Sequence, residues 1–415
     1  MHNVNEWLQF TGFDNAVTLL EKRGFSLDYV SDKMLEQLQV IGNGLATSGA
    51  APAYRALVVP FCKLMPAATL QKIIQLARDG ATVIFQGLPA DVPGLAGISE
   101  RRQQFRELLS KLPFLLQRSS GTQRIPFGKG QIFLSPDIEP ALRMARIYRE
   151  DLTDMGLQFI RRALHDGKYY YIVNHSAATV DTWMPVRYAA QTVTIMDPQT
   201  GRTGMAGITK KNDLTEVHIQ IKSGEAIILK TSAKKEAGDS WKYAEAAETP
   251  VVLNGEWHLH FKEGGPHLPA DRQLPILQPW TAFVNDSATQ SFSGTAVYST
   301  TFHLDSKNAK DYLLQLGSVY ESARVFINGR EVGILWSIPY ETRIGQFLRP
   351  GQNTISIEVA NLMANRIRNM DRNKQEWRKY HEINFVNILY KNFNAANWEV
   401  QPSGLQGPVT ITALR

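Results

Sequence analysis

From about Asp151 onward the sequence is a succession of short β-rich runs cut by turn residues, and this limits the fold more than any other feature. GKYYYIVNHS (Gly167 to Ser176), QTVTIMDPQTG (Gln191 to Gly201), TEVHIQI (Thr215 to Ile221) and EAIILKT (Glu225 to Thr231) form a first series, with Asp197-Pro198 and Ser223-Gly224 as turns. Runs of this length and spacing are those of a β-sandwich. A second series opens near Val251 with NGEWHLHF and continues through GTAVYSTTFHL, DYLLQLGSV and NTISIEVANL to the closing GPVTITAL, Gly407 to Leu414. Its Gly- and Pro-rich stretch Gly264 to Pro279 reads as a loop. Within this series VFINGREVGILW (Val325 to Trp336) reads as two strands around a type I′ Asn328-Gly329 turn. Regular pairing sets Ile327 against Arg330 and Val325 against Val332. Val325, Ile327, Val332, Ile334 and Trp336 then share the core face, unless a bend at Gly333 or Pro339 turns Trp336 toward a ligand.

The first third has a different rhythm. Asn5 to Arg23 has helical spacing and Phe25 to Val30 reads as extended. YRALVVP (Tyr54 to Pro60) and ATVIFQG (Ala81 to Gly87) are apolar enough for a sheet buried on both faces. Between them PAATLQKIIQLARDG carries the stripe Leu70, Ile73, Ile74, Ala77 and stops at Gly80, which makes a parallel β-α-β unit. A helix over Glu100 to Leu112 covers the sheet again. No G-x-G-x-x-G or G-x-x-x-x-G-K-[ST] loop is present to cradle a phosphate, and few strands precede Tyr54, so the α/β unit is small or incomplete at its start.

At 415 residues the chain is long enough for two or three domains. Boundaries are expected at 1–145 (α/β), 146–248 (sandwich) and 249–415 (second sandwich, a jelly roll). No run of ~18 apolar residues occurs, so no membrane span is expected, and MHNVNEWLQF lacks the pattern of a secretion signal. The net charge of +6 is spread over scattered Lys and Arg, with a cluster from Arg366 to Lys374. No arginine-rich helix or RNA-binding aromatic motif accompanies it, and no nucleic-acid partner is expected. Cys62 is the only cysteine; bulky Phe61 and Lys63 flank it, unlike a nucleophile elbow, so it reads as a packing residue.

The second β-rich series resembles the galactose-binding-like jelly roll of family 2 glycoside hydrolases, through FSGTAVYSTTF, LGSVYESARVFINGREVGILW, Pro339-Tyr340 and LRPGQNTISIEVANL. FIRRALHDGKYYYIVNHS, MDPQTG, NGEW, NLMANRI (Asn361 to Ile367) and PSGLQGPV narrow the likeness to the C-terminal half of α-L-rhamnosidases of the family 106 type. That resemblance implies a partial amidotransferase-like α/β segment followed by two β-sandwiches. It also implies an upstream catalytic barrel as partner, a glycan ligand such as a rhamnose-containing polysaccharide, and a periplasmic or secreted location. A (β/α)8 barrel needs ~200 residues or more, and this chain has about one such unit. The family's catalytic carboxylates are therefore carried to no residue here, and the chain is expected to be the non-catalytic C-terminal portion of a glycosidase.

A glycosidase uses two facing carboxylates. Glu256, Glu321, Glu331, Glu341, Glu358 and Glu382 mostly alternate with apolar positions, as on a solvated sheet face, and form no evident pair. Sugar binding instead asks for an aromatic face with polar neighbours. The candidates are Trp336 and Tyr340 near the hairpin, Asn361, Asn365 and Arg366 in NLMANRI, and Trp377, Tyr390 and Trp398 in the Asn-rich insert before Gly407. The competing readings are strand-end capping for the NLMANRI residues and, for the insert, a helix over Lys374 to Tyr390 packing its aromatics on a neighbouring domain. His258 and His260 alternate on one strand without a third ligand, so no metal site is expected there. No cofactor is expected beyond a structural calcium of the kind jelly-roll loops hold, for which the sequence identifies no oxygens.

Overall fold

A computed structural model describes residues 7–42, 44–47, 54–112, 121–211, 214–377 and 393–415. The architecture is mostly β-sheet with few helices. Near the start, strands Leu57–Val59 and Thr82–Phe85 pair in parallel around the helix Ala67–Asp79. Strand Gly130–Leu134 adds in parallel and Gln123–Phe127 closes a four-stranded sheet in the antiparallel sense. The expected stripe Leu70, Ile73, Ile74 and Ala77 is buried against the sheet, because residues three and four apart share a helix face. Helix Gly12–Lys22 is opened by Thr11, whose hydroxyl accepts from the Asp14 amide at 3.1 Å. Phe25 to Val30 forms no strand; Phe25 and Leu27 instead pack beside that helix. Cys62 is half-buried against the core and burial pushes its thiol above the ordinary range.

Next, a five-stranded sheet (Thr203–Met205, Thr192–Met196, Ala226–Ser232, Gly167–Asn174, Leu157–Ala163, in spatial order) faces a three-stranded one (Ile208–Lys211, Leu214–Ile221, Val180–Val186). Their inward residues, among them Tyr170, Ile172, Met184, Ile195, Val217, Ile219 and Leu229, form one core. The junction with the α/β unit turns on Glu150, whose side chain is wholly buried. Its carboxylate accepts from the Tyr170 hydroxyl at 3.1 Å and the Arg187 amide at 3.0 Å, and it is ion-paired to Arg161. The Glu150 amide donates to the carbonyl of Gly24 at 2.9 Å, tying the junction to the end of helix Gly12–Lys22.

The last part pairs a six-stranded sheet with a four-stranded one. Between them lie Trp257, Phe261, Trp280, Phe292 and Tyr298, with ring centroids 5.0 to 5.5 Å apart for the Phe261, Trp280 and Phe292 set. The Trp280 indole N–H donates to the Tyr298 hydroxyl at 2.6 Å, and that oxygen also accepts from the Leu405 amide at 3.0 Å, so the buried polar atoms are satisfied. Gly404, at φ 88°, lies so close that a Cβ there would meet Trp280 Nε1 at 2.5 Å. The stretch expected as a loop from Gly264 is partly strand: Trp257–Gly265 runs through its first residues, and Arg272–Leu274 pairs back onto that strand.

The hairpin departs from regular register. Asn328 and Gly329 have φ of 51° and 75°, as a type I′ turn requires, and Ile327 pairs with Arg330. Val325, however, faces Gly333 instead of Val332, because the pairing slips by one residue between Val325 and Phe326. One extra residue moves every later side chain to the opposite face. Leu335 therefore turns into the core, while Ile334 and Trp336 turn out, Trp336 being 62% exposed. The core-face expectation for Ile334 and Trp336 is thus overturned, and the bend expected at Gly333 is where it happens.

The two β parts are joined by Lys222, whose Nζ lies 2.6 Å from Glu341, and by Arg343, which donates to the carbonyl of Lys242 at 3.2 Å. Beside them Glu225 is half-buried; desolvation, and after it the Glu341 charge, outweigh the Lys222 amide's hydrogen bond and hold its carboxyl above the ordinary range. Replacing Glu150 with Ala is expected to destabilise the chain by about 3 kcal/mol, since it strands Arg161 and Tyr170 without their partner, read as a lower urea midpoint. For Glu225 the sign is opposite. A carboxyl with a raised folded-state pKa adds stability below the ordinary value of 4.5 and loses it as pH rises through the folded value. Glu225→Gln is therefore expected to be more stable than wild type at pH 7, with the difference closing below pH 4.5; a difference that does not change with pH would refute this assignment.

Candidate glycan-binding site

Helix Ala364–Arg372 follows the strand Gly351–Ala360 directly and was not anticipated as a helix. Its far end and the returning segment at 393–398 border an open cleft of about 450 Å³, lined by Arg368, Asp371, Arg372, Lys374, Ala396 and Asn397. Asp371 is the hub: its carboxylate accepts from the Trp377 indole N–H at 2.8 Å and from the Ala395 amide at 2.7 Å. Arg368 donates to the Trp398 carbonyl at 2.6 Å. Phe393 stands edge-on to Trp377 and Trp398, at 6.1 and 5.3 Å between centroids, which fixes both indoles. Trp398 remains 41% exposed beside the cleft. The lining is basic: Arg368, Arg372 and Lys374 stand around one carboxylate that is already hydrogen-bonded.

The other candidates are arranged differently. Asn361 bonds the Phe292 carbonyl at 2.9 Å and the Gly294 amide at 3.0 Å; Asn365 exchanges bonds with the Gln401 carbonyl and amide at 2.6 and 2.9 Å. Both amides are taken up by backbone partners; Asn361 does so at the end of a strand, as the capping alternative has it, and Asn365 from within the helix. Arg366 lays its guanidinium against Gly265. Tyr340 packs on the core and donates to the Glu321 carbonyl at 2.7 Å, burial pushing its hydroxyl pKa up. Trp336 is open to solvent on the hairpin, apart from the cleft lining. Tyr390, and most of the helix expected over Lys374 to Tyr390, lie outside the described residues. Arg368, Asp371 and Arg372 were missed as site residues, although the basic run from Arg366 to Lys374 was visible.

His258 and His260 both approach Asp271, at 3.7 and 2.9 Å. Among the described residues no group of three or more His, Cys, Asp or Glu side chains is placed to hold a metal ion, and no helix is long and apolar enough to cross a membrane. Glu341 and Glu358 are paired with Lys222 and Lys262, at 2.6 and 2.9 Å, so neither stands as a free acid/base partner.

Residues 10–210 match the alpha-L-rhamnosidase family, glycoside hydrolase family 106, and residues 278–404 match the glycosyl hydrolase 2 galactose-binding domain-like family. A rhamnosidase of Novosphingobium sp. PP1Y superposes over 93% of this chain with a TM-score of 0.69 and 27% identity. A Formosa agariphila protein provisionally named a beta-glucuronidase is 34% identical over 121 residues, 28% of this chain. The chain spans 36% of the length of the rhamnosidase and 10% of that of the Formosa protein. From residue 10 to 210 the chain thus resembles family 106 alpha-L-rhamnosidases, and from 278 to 404 it resembles the galactose-binding-like domain of family 2 glycoside hydrolases.

Proposed function

We propose that this chain is a non-catalytic part of a rhamnosidase-like glycoside hydrolase, positioning glycan and bracing a catalytic barrel that it does not itself contain. On this reading an incomplete amidotransferase-like α/β segment is followed by two β-sandwiches, the last a jelly roll, in a periplasmic or secreted enzyme. The observation that carries it is the cleft beside Trp398: a half-exposed indole locked edge-on by Phe393, with Asn397 and cationic side chains alongside. An indole face takes the C–H side of a pyranose, and amide and guanidinium groups bond its hydroxyls and acid groups. The cationic lining favours a glycan that alternates rhamnose with a uronic acid.

The bracing role has its own support. Ile160, Tyr171, Ile228 and Met196 are register partners across four neighbouring strands and form one row on the outer sheet face, with Ile160 73% exposed. An apolar face of this kind is what a neighbouring protein domain covers. It equally favours a second reading, a protein-docking module without sugar affinity.

Calorimetry with rhamnogalacturonan oligosaccharides separates the two. Trp398→Ala is expected to weaken binding about tenfold, on the order of 1.4 kcal/mol. Unchanged affinity in that variant would remove the cleft from the site. Absence of glycan binding, together with capture of a separately produced barrel, would leave docking alone. Release of p-nitrophenol from an aryl α-L-rhamnoside by the purified chain would overturn the non-catalytic reading.

A further inference from the structure

The outer face of the three-stranded sheet carries a second aromatic arrangement, far in sequence from the cleft. Trp183 and His218 are direct cross-strand partners, with rings 5.3 Å apart and 28° from parallel. Tyr243 also packs on His218, at 4.3 Å and 33°. Tyr243 is anchored from both directions: its hydroxyl donates to the His218 carbonyl at 2.9 Å and accepts from the Gly207 amide at 3.1 Å. The indole reaches over toward Gly207, where even a Cβ would sit 3.6 Å from its Cη2. Trp183 packs on His218 and is still 44% exposed.

A carboxylate sits two residues back on the same strand face. Asp181 faces Gln220 across the sheet, and it is held from two sides, by His218 Nε2 at 2.8 Å and Gln220 Nε2 at 2.8 Å. Gln220 is in turn fixed by the backbone of Ala244, at 3.2 and 2.7 Å. Asp181 is half-exposed, and each carboxylate oxygen keeps a lone pair beyond these bonds. Among the described residues it pairs with no lysine or arginine; its one ion-pair partner is the His218 imidazole, which is cationic only when protonated.

We propose that Trp183 and Asp181 form a second glycan subsite, which takes a neutral pyranose. The sugar's C–H face stacks on the open indole as a further layer on the Tyr243–His218–Trp183 pile, and vicinal hydroxyls donate to Asp181. Beside a neutral imidazole the Asp181 carboxylate repels a uronate, so this subsite and the basic cleft divide neutral from acidic residues of one polymer. Residues with prearranged neighbours lose little freedom on binding, which suits a site with so few contacts. The proposal rests on the reading of this chain as glycan-binding, and the test separates the two.

The full chain, labelled with 5-fluorotryptophan, is followed by fluorine NMR, with the Trp183 and Trp398 lines assigned from Trp183→Phe and Trp398→Phe. Titration with methyl α-L-rhamnopyranoside, then with D-galacturonate, is the measurement. A saturable shift of the Trp183 line by the neutral glycoside alone is expected, with a Kd on the order of 1 mM, weakened about tenfold by Asp181→Asn. Movement of the Trp398 line with no movement at Trp183 would overturn this subsite and leave the cleft standing. Stillness of both lines with both sugars would sink the subsite and the glycan-binding reading together. An equal response of Trp183 to galacturonate would refute the neutral selectivity.

Discussion

The arrangement of this chain depends first on a buried charge. Glu150 is the last residue before the short 3-10 turn Asp151–Met155 that leads into the first β part, and its carboxylate is sealed from water. An ion taken that far from solvent is tolerated only when it is paired and hydrogen-bonded on both oxygens. Arg161 from one strand, Tyr170 from the next and the Arg187 amide supply those bonds, so three separate stretches must be in register before Glu150 can be buried. Its backbone meanwhile reaches Gly24, beyond helix Gly12–Lys22. Apolar packing alone would let the α/β unit slide on the sandwich, because apolar contact is not directional. A hydrogen-bonded carboxylate fixes both distance and angle.

The second junction is built on the same logic with weaker means. Lys222 and Glu341 are both partly exposed, so their attraction is screened and the pair specifies orientation more than it adds stability. Arg343 adds backbone contacts to the segment around Lys242 and Tyr243. That segment also carries Tyr243, the base of the aromatic pile under Trp183. The outer aromatic surface of the middle sheets is thereby tied to the contact with the last ones, and a shift at this interface would be felt at His218.

Much of this was legible in the amino-acid sequence, wherever period and turn chemistry act locally. The stripe Leu70, Ile73, Ile74, Ala77 and the stop at Gly80 specify the helix between two parallel strands, and Asn328-Gly329 specifies a type I′ turn. What escaped is what non-local pairing decides. The slip beside Val325 depends on how Gly333 meets the neighbouring strand, and it reverses the side on which Trp336 lies. Helix Ala364–Arg372 was hidden because it buries little besides Asn365, leaving no apolar stripe to read. Its basic run was noticed as charge and not as a cleft wall. Asn361 and Asn365 look like ligand residues in a string, but their amides are consumed by backbone partners that only the fold brings near.

The polarity of the two aromatic surfaces follows from their supports. In the cleft, Asp371 is engaged by the Trp377 indole and the Ala395 amide, and Arg368, Arg372 and Lys374 surround this one carboxylate. On the middle sheet the indole is fixed by stacking on His218, and the carboxylate that orients the imidazole keeps its outer side exposed. The charge each surface presents is therefore the residue of how its tryptophan is held.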